Sequence, residues 1–342
     1  MSPEGKRSIP SIKGEKAIEL LKKFPDTSHR QLSRILFYEN QLVYKNIEDA
    51  YGFIRYYSGA SGDKHRLLGS TKELYRDKEK GEAMNKNPFG LPSSDMDSWK
   101  PQRFPLQNGR VLALGDGHMP YHDQRALTIA IQWGINNGYD DAVFLAGDML
   151  DCYQLSRFDR DPTKKKFIGE LEDFKRFLDA IGKAFPNALI IWKHGNHEYH
   201  LERYFKVKAP ELFGMEKFIW NKFLDLDQRG VTIVEQDIPL YIGKLNIIHG
   251  HEIPNNSPVN PARGAYLAAR ECIILWHHHR TSSHAEGTFS RRLDTAWSVG
   301  CTCCLWPEYS RLNKWNHGFA GIEIRGKDFD IENKRIVQGM VR

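Results

Sequence analysis

Five times in this 342-residue chain, a short apolar run ends in residues able to hold a metal cation. VLALGDGH presents Asp116 and His118 as D-x-H, and AVFLAGDMLD presents Asp148 with Asp151 three residues on. LIIWKHGNHE supplies Asn196 and His197, LNIIHGH supplies His249, and ECIILWHHH supplies His277 and His279. Any one of these means little: GD after a strand is usually a turn, and a lone histidine is more often a hydrogen-bonded core residue than a ligand. Five in order, each behind an apolar run, are hard to obtain by chance. Asp116, Asp148, His118, His249, His277, His279 and Asn196 make an oxygen-and-nitrogen donor set without a thiolate. That is too many ligands for one four-coordinate zinc. It suits two cations about 3.5–4 Å apart, an arrangement fitted to in-line displacement at phosphorus.

The elements that position these residues follow from the rhythm after Arg110. VLALGD, AVFLAGD and ALIIWKHGN read as strands, separated by the helical patterns QRALTIAIQWGINN and FIGELEDFKRFLDAIGKAF. Alternating strand and helix means an α/β layer, and open α/β sheets collect ligands on the loops after the strands. VTIVE, PLYIG and LNIIHG read as a meander, with Gly243 and Lys244 turning the last pair. HGFAGIEIRG and FDIENKRIVQGM read as a terminal hairpin.

Ahead of this domain, assigned to 109–342, the chain divides again. Residues 1–60 hold three short amphipathic segments: one around Ile18, Leu20 and Leu21 stopped by Pro25, one around Leu32, Ile35 and Leu36, and one capped near Asn46 that runs through Ala50, Ile54 and Tyr57. Three helices with tight turns are compatible with a helix-turn-helix module, and equally with a small bundle that binds no nucleic acid. Residues 61–108 are polar and poorly periodic, a linker or surface wrap whose end Trp99, Phe104 and Leu106 could pin down.

Charge is unevenly placed. Residues 1–110 hold 20 Lys and Arg against 14 Asp and Glu, while the remainder holds 29 of each, so the whole net charge of +6 lies in the first third. A basic appendage on a neutral body points to a polyanion, with DNA or RNA first, although a solvated lysine-rich surface accounts for it as well. No run of 18 apolar residues indicates a membrane span, and MSPEGKRSIPSIKGEK lacks the apolar centre of a secretory signal. Five cysteines, an odd count, make a reducing, cytoplasmic setting the default, with the C-x-C-C cluster of Cys301, Cys303 and Cys304 read as buried thiols.

The series D-x-H, GD-x-x-D, GNHE, H-G-H and H-x-H resembles the calcineurin-like metallophosphoesterase superfamily over about residues 110–325. PYHD after the first motif, GNHEYHLERY and HHHRTSSH are similar to phage-encoded members, as is the helical N-terminal extension. The resemblance implies a four-layer β-sandwich flanked by helices. It implies that Asp116, His118, Asp148 and His279 hold one metal, and that Asp148, Asn196, His249 and His277 hold the other, with Asp148 bridging. His197 would face the leaving-group oxygen without binding metal. Two positions depart from the pattern. Trp276 stands where the last motif usually has glycine, so that it could shift the His277 backbone or stack on a base or sugar. Cys152 stands where protein phosphatases of this fold carry a phosphate-gripping arginine, a role left to Arg157 or Arg160.

The mechanism so implied is hydrolysis by a hydroxide bridging two divalent cations, Mn²⁺ first and Fe or Zn next. Asn196 would help neutralise the phosphoryl oxygens, and protonated His197 would donate to the departing alkoxide. Nucleic acid is the leading substrate. A phosphatase of nucleotides or other small monoesters is the alternative, and a non-catalytic metal-dependent binding protein the third.

Overall fold

The apolar runs after Arg110 become the strands of two stacked sheets. The computed structural model describes residues 11–25, 27–58, 92, 99–157, 159–254, 259–287, 289 and 291–342. Two compact units result, one ending at Met96 and the other beginning at Asp97.

In the first unit, α1 (Ile12–Lys23), α2 (His29–Glu39) and α3 (Ile47–Tyr57) begin at the side-chain caps Ser11, Ser28 and Asn46, each accepting from a backbone N–H of the first turn. Asp49 reaches back to the Lys45 N–H at 2.9 Å, one residue ahead of the cap. The helices close over Ala17, Leu20, Leu21, Leu32, Leu36, Ala50, Ile54 and Tyr57, so Tyr57 is spent on the core. Most of the expected linker, 61–91 and 93–98, lies outside the described residues.

The second unit opens with β1 (Gln102–Arg103), β2 (Asn108–Leu114), α4 (Gln124–Asn136), β3 (Ala142–Leu145), α5 (Phe167–Ala184), β4 (Leu189–Lys193) and α6 (Tyr199–Lys208). It continues through α7 (Trp220–Leu224), α8 (Leu226–Arg229), β5 (Val231–Val234), β6 (Leu240–Ile242), β7 (Leu245–Ile247), α9 (Pro261–Ala269) and β8 (Cys272–Leu275). β9 (Ser282–Gly287), β10 (Leu293–Ser298), β11 (Gly318–Arg325), β12 (Asp328–Val337) and β13 (Met340–Val341) complete it. One sheet runs β13-β12-β11-β2-β3-β4-β5, the other β1-β6-β7-β8-β10-β9. Phe104, behind β1, is buried with Phe144 and Ile191 between the sheets, and Leu106 packs against that core, whereas Trp99 is exposed.

Alternate residues of β2 and β3 face opposite ways, as the twofold period of a strand requires. Val111, Ala113 and Phe144 meet Ile247, Ile274 and Trp276 of the second sheet, while Leu112, Leu114, Val143 and Leu145 meet the helix side chains Leu127, Ala130, Phe174 and Leu178. On the far side, Ala262, Ala265 and Tyr266 of α9 cover Ile273 and Leu275. The result is four layers, helices on sheet on sheet on helix. The expected meander is corrected: β5 extends the first sheet parallel to β4, and only β6 and β7 form an antiparallel pair. β5 follows α8 and so returns by a crossover that favours parallel addition. The terminal hairpin is present as β11 and β12.

Candidate metal centre

Parallel pairing brings the strand ends to one rim. Leu114 pairs with Leu145 and Leu145 with Trp192 in the first sheet, and Ile247 with Ile274 in the second. The loops that follow therefore meet: Asp116 N donates to Gly147 O at 3.0 Å, His118 N to Asp148 O at 2.9 Å, and Trp276 N to His249 O at 2.7 Å. The turns are tight enough that Asp116, His118, Asp148, His277 and His279 all adopt φ between 46° and 63°. Left-handed backbone at five non-glycine residues is costly and collects where side chains must be aimed. Gly147, at φ 100°, admits no side chain, because a Cβ would stand 2.5 Å from His249 Nδ1.

Four donor groups result among the described residues. Asp116, His118 and His279 form one and Asp148, His249 and His277 another; His118, Asp151 and His197 form a third, and His279 with Cys301 and Cys303 a fourth. His118 Nε2 and His279 Nε2 face each other at 3.2 Å, and His279 Nε2 lies 3.5 Å from Asp116 Oδ1. His249 Nε2 lies 3.1 Å from Asp148 Oδ2 and 3.9 Å from Asp116 Oδ1, and His118 Nε2 lies 4.0 Å from Asp148 Oδ2, so Asp148 sits between the clusters. Asp116 Oδ1 and Asn196 Oδ1 are buried without a hydrogen-bond partner among the described residues. Buried polar atoms of that kind are costly unless something binds them. Converging imidazole nitrogens and orphaned oxygens fit divalent cations; Asp116, His118, Asp148, His249, His277 and His279 fall within these donor groups, and Asn196 offers a buried oxygen.

The electrostatics agree. Burial opposes charge on His249 and His279, yet the facing carboxylates Asp148 and Asp116 outweigh it and hold each imidazole at about 10. Burial likewise works against the Asp148 carboxylate, but His249 and His197 hold it well below the usual range. His277, partly buried and facing charged His249, is pushed down to about 3 and stays a neutral donor.

Three supports were given no role by the sequence reading. Asp151 Oδ1 stands 2.9 Å from His118 Nδ1, fixing that ring so that Nε2 points at the cluster, and its carbonyl accepts from His197 Nδ1 at 2.8 Å. The D-x-x-D spacing was its signal. Glu198, fully buried, accepts the backbone N–H groups of Asp148, Met149, Leu150 and Gly195, tying two ligand loops together. Burial pushes it up to about 7 against those four donors. Glu252 accepts from His249 N at 3.1 Å and pairs with buried Lys193 at 3.1 Å, a partnership 59 positions apart that no local pattern announces.

A family pattern for calcineurin-like phosphoesterases matches residues 109–299. The chain belongs to that family. Solved structures similar to this phosphoesterase include vacuolar protein sorting 29 from Cryptosporidium parvum, at 12% identity and a TM-score of 0.38 over 69% of this chain and 95% of that one. Vps29 from Entamoeba histolytica, complexed with Zn²⁺, is similar at 15% identity and a TM-score of 0.36 over 68% and 96%. No curated protein matches.

Both departures from the family pattern find an answer in the phosphoesterase. Trp276 is fully buried against Phe144 and does not reach a substrate, which corrects the expectation that it could stack on a base or sugar. Cys152 is buried too, while Arg157 lines a cavity of about 1040 Å³ beside the cluster, together with Asn196 and His197. Arg160 instead donates to Gln154 O. Cys301 and Cys303 are buried, with Cys303 Sγ 3.8 Å from His279 Nδ1 on the side away from the cluster, whereas Cys304 is exposed. Among the described residues, no helix is long and apolar enough to cross a membrane.

Proposed function

We propose that this metal-dependent phosphoester hydrolase acts on nucleic acid through two divalent cations. Asp116, His118, Asp148 and His279 hold one, and Asp148, Asn196, His249 and His277 hold the other. The observation that carries this reading is Asp148, a member of one donor group whose Oδ2 also lies 4.0 Å from His118 Nε2 of the other. When bound, the pair would supply activated water and Lewis acidity toward the phosphoryl oxygens. Oxygen and imidazole donors favour Mn²⁺, with Fe or Zn as alternatives; the nearby thiols sit behind His279 rather than among the donors.

The chain's own residues do the rest. Asn196 would donate to a phosphoryl oxygen through its amide nitrogen, and its orphaned Oδ1 would help hold a cation. His197 lines the cavity with its Nδ1–H committed to the Asp151 carbonyl, so Nε2 is the atom that can pass a proton to a departing oxygen. Burial opposes its charge, but Asp148 and Asp151 overcome this and raise its pKa above the ordinary histidine value. Arg157, on the same wall, would hold a substrate phosphate.

The basic first third of the chain anchors the polyanion in this reading, and five unpaired cysteines support a reducing, cytoplasmic compartment. A second reading, hydrolysis of nucleotides or small monoesters, draws on the bounded cavity, which is of the size that holds a small ligand. A nuclease assay run beside a p-nitrophenyl phosphate assay, both with Mn²⁺, separates them. Cleavage of DNA or RNA supports the first; turnover of the monoester alone supports the second. Silence in both, with metal bound, would overturn the enzyme.

A further inference from the structure

The cavity beside the donor clusters is built from rings as well as charges. Tyr121, Tyr153, Tyr199 and Trp306 line it, with Arg157 and Arg203 as its guanidinium groups. Trp306 is 70% exposed, in a unit that buries Trp192 and Trp276 completely, so its indole is not part of a core. Its loop is fixed in place: Glu308 pairs with Lys164 at 2.9 Å, joining it to the segment ahead of α5. That pairing engages the lysine on the wall, and Arg157 and Arg203 bring guanidinium groups to the same cavity. Tyr153 is held too, since its hydroxyl accepts from Asp161 N at 2.9 Å.

An aromatic wall with guanidinium groups suits a nucleoside joined to phosphate. A base stacks by its π-face on Tyr or Trp whatever its identity, and guanidinium matches phosphate with two parallel hydrogen bonds. The direction is set by His197, which lines the same cavity: a proton donor there places the departing oxygen on the cavity side.

We infer that this cavity seats the nucleoside that leaves, with its base against Trp306 and Arg157 or Arg203 on an adjoining phosphate. The inference rests on the phosphoesterase reading above and adds a substrate class to it. Water adds to phosphorus as the P–O bond to the nucleoside breaks, and the nucleoside oxygen takes the proton.

The test uses full-length, Mn²⁺-loaded protein with AMP and glycerol phosphate as substrates and adenosine as a probe. Cys304 lines the cavity and is exposed while the other four cysteines are buried, so its alkylation by N-ethylmaleimide reports occupancy. Adenosine is expected to slow labelling of Cys304. Trp306→Ala, a change at an exposed side chain, is expected to abolish that protection and to lower the preference for AMP over glycerol phosphate about 5- to 150-fold, the range of one lost base stack. Trp306→Phe should restore both. Hydrolysis of glycerol phosphate with no adenosine protection would overturn the subsite and leave the hydrolase standing. Protection without hydrolysis of either ester would support nucleoside binding and overturn the monoesterase reading, with the nuclease assay above deciding the hydrolase itself.

Discussion

The indole of Trp276 fills the space that a side chain on Gly115 would need: a Cβ there would stand 2.5 Å from Trp276 Cδ1. The two residues sit at the ends of the loops that present Asp116 and His277, and His277 N donates to Asp116 Oδ2 at 3.0 Å. Gly115→Ala is expected to cost about 1–3 kcal/mol by overpacking, and Trp276→Ala about 3–5 kcal/mol by leaving a cavity. In the double variant the alanine methyl has room, so the cost of Gly115→Ala should largely vanish. A double-mutant cycle from urea unfolding of the phosphoesterase unit checks this, and simple additivity would contradict it.

Loading of metal should expel protons. His249 and His279 are held at about 10, so at pH 8 both are charged and each must release a proton to ligate. Calorimetry with Mn²⁺ in buffers of different ionisation enthalpy should therefore report release of roughly two protons. The sign for stability follows. Both folded values lie above the unfolded one, so this contribution to the metal-free protein is complete below about pH 6.5 and is lost as pH rises through 10. Added Mn²⁺ should raise the melting temperature more at pH 9 than at pH 6. Asp148→Asn, which removes the shared carboxylate, should hold less than one metal per chain by elemental analysis.

Glu252 ties a second buried charge to the centre. Lys193→Met would strand its carboxylate and should cost about 3–5 kcal/mol, while Lys193→Met with Glu252→Gln should cost less. Lys193 and the His249 and His251 rings outweigh burial and hold Glu252 at about 2. A depressed carboxyl contributes stability above about pH 4.5, lost as pH falls toward 2, so Glu252→Gln should flatten that part of the acid limb. An unchanged acid limb would mean the pair contributes nothing there.

His197 should matter most for poor leaving groups. Protonating an alkoxide is worth typically 10²–10⁴-fold, whereas p-nitrophenolate departs with little help. His197→Ala is expected to cut turnover of a nucleotide ester by about that factor and of p-nitrophenyl phosphate far less. Equal losses would remove the general acid from the mechanism.

The N-terminal unit should supply affinity rather than chemistry. A chain beginning at Asp97 keeps β1 and Phe104, and every proposed ligand, but sheds most of the excess positive charge. It should hydrolyse p-nitrophenyl phosphate at the full-length rate and bind DNA or RNA more weakly. Its salt dependence should be shallower by about 0.9 in log K per log salt for each duplex phosphate no longer neutralised. Equal affinity in a folded truncation would remove the anchor.

Much of this protein is written locally. A strand announces itself by an apolar run, a helix by a cap and a 3.6-residue stripe, and a candidate ligand by its place just behind a strand, so Asp116, His118, Asp148, Asn196, His249, His277 and His279 were legible as candidates before any fold was known. The first unit was legible for the same reason, down to the Asn46 cap. Tertiary structure decided what depends on partners far along the chain. It assigned β5 to the first sheet, because a short strand pattern carries no mark of its neighbour. It buried Trp276, because the space for an indole exists only where Gly115 of one sheet faces the other. It joined Lys193 to Glu252, and set Trp306 across from His197, 109 positions earlier, around one cavity. Periodicity encodes the direction a side chain faces, but what it meets there depends on how the layers stack, and that is a property of the whole packed chain.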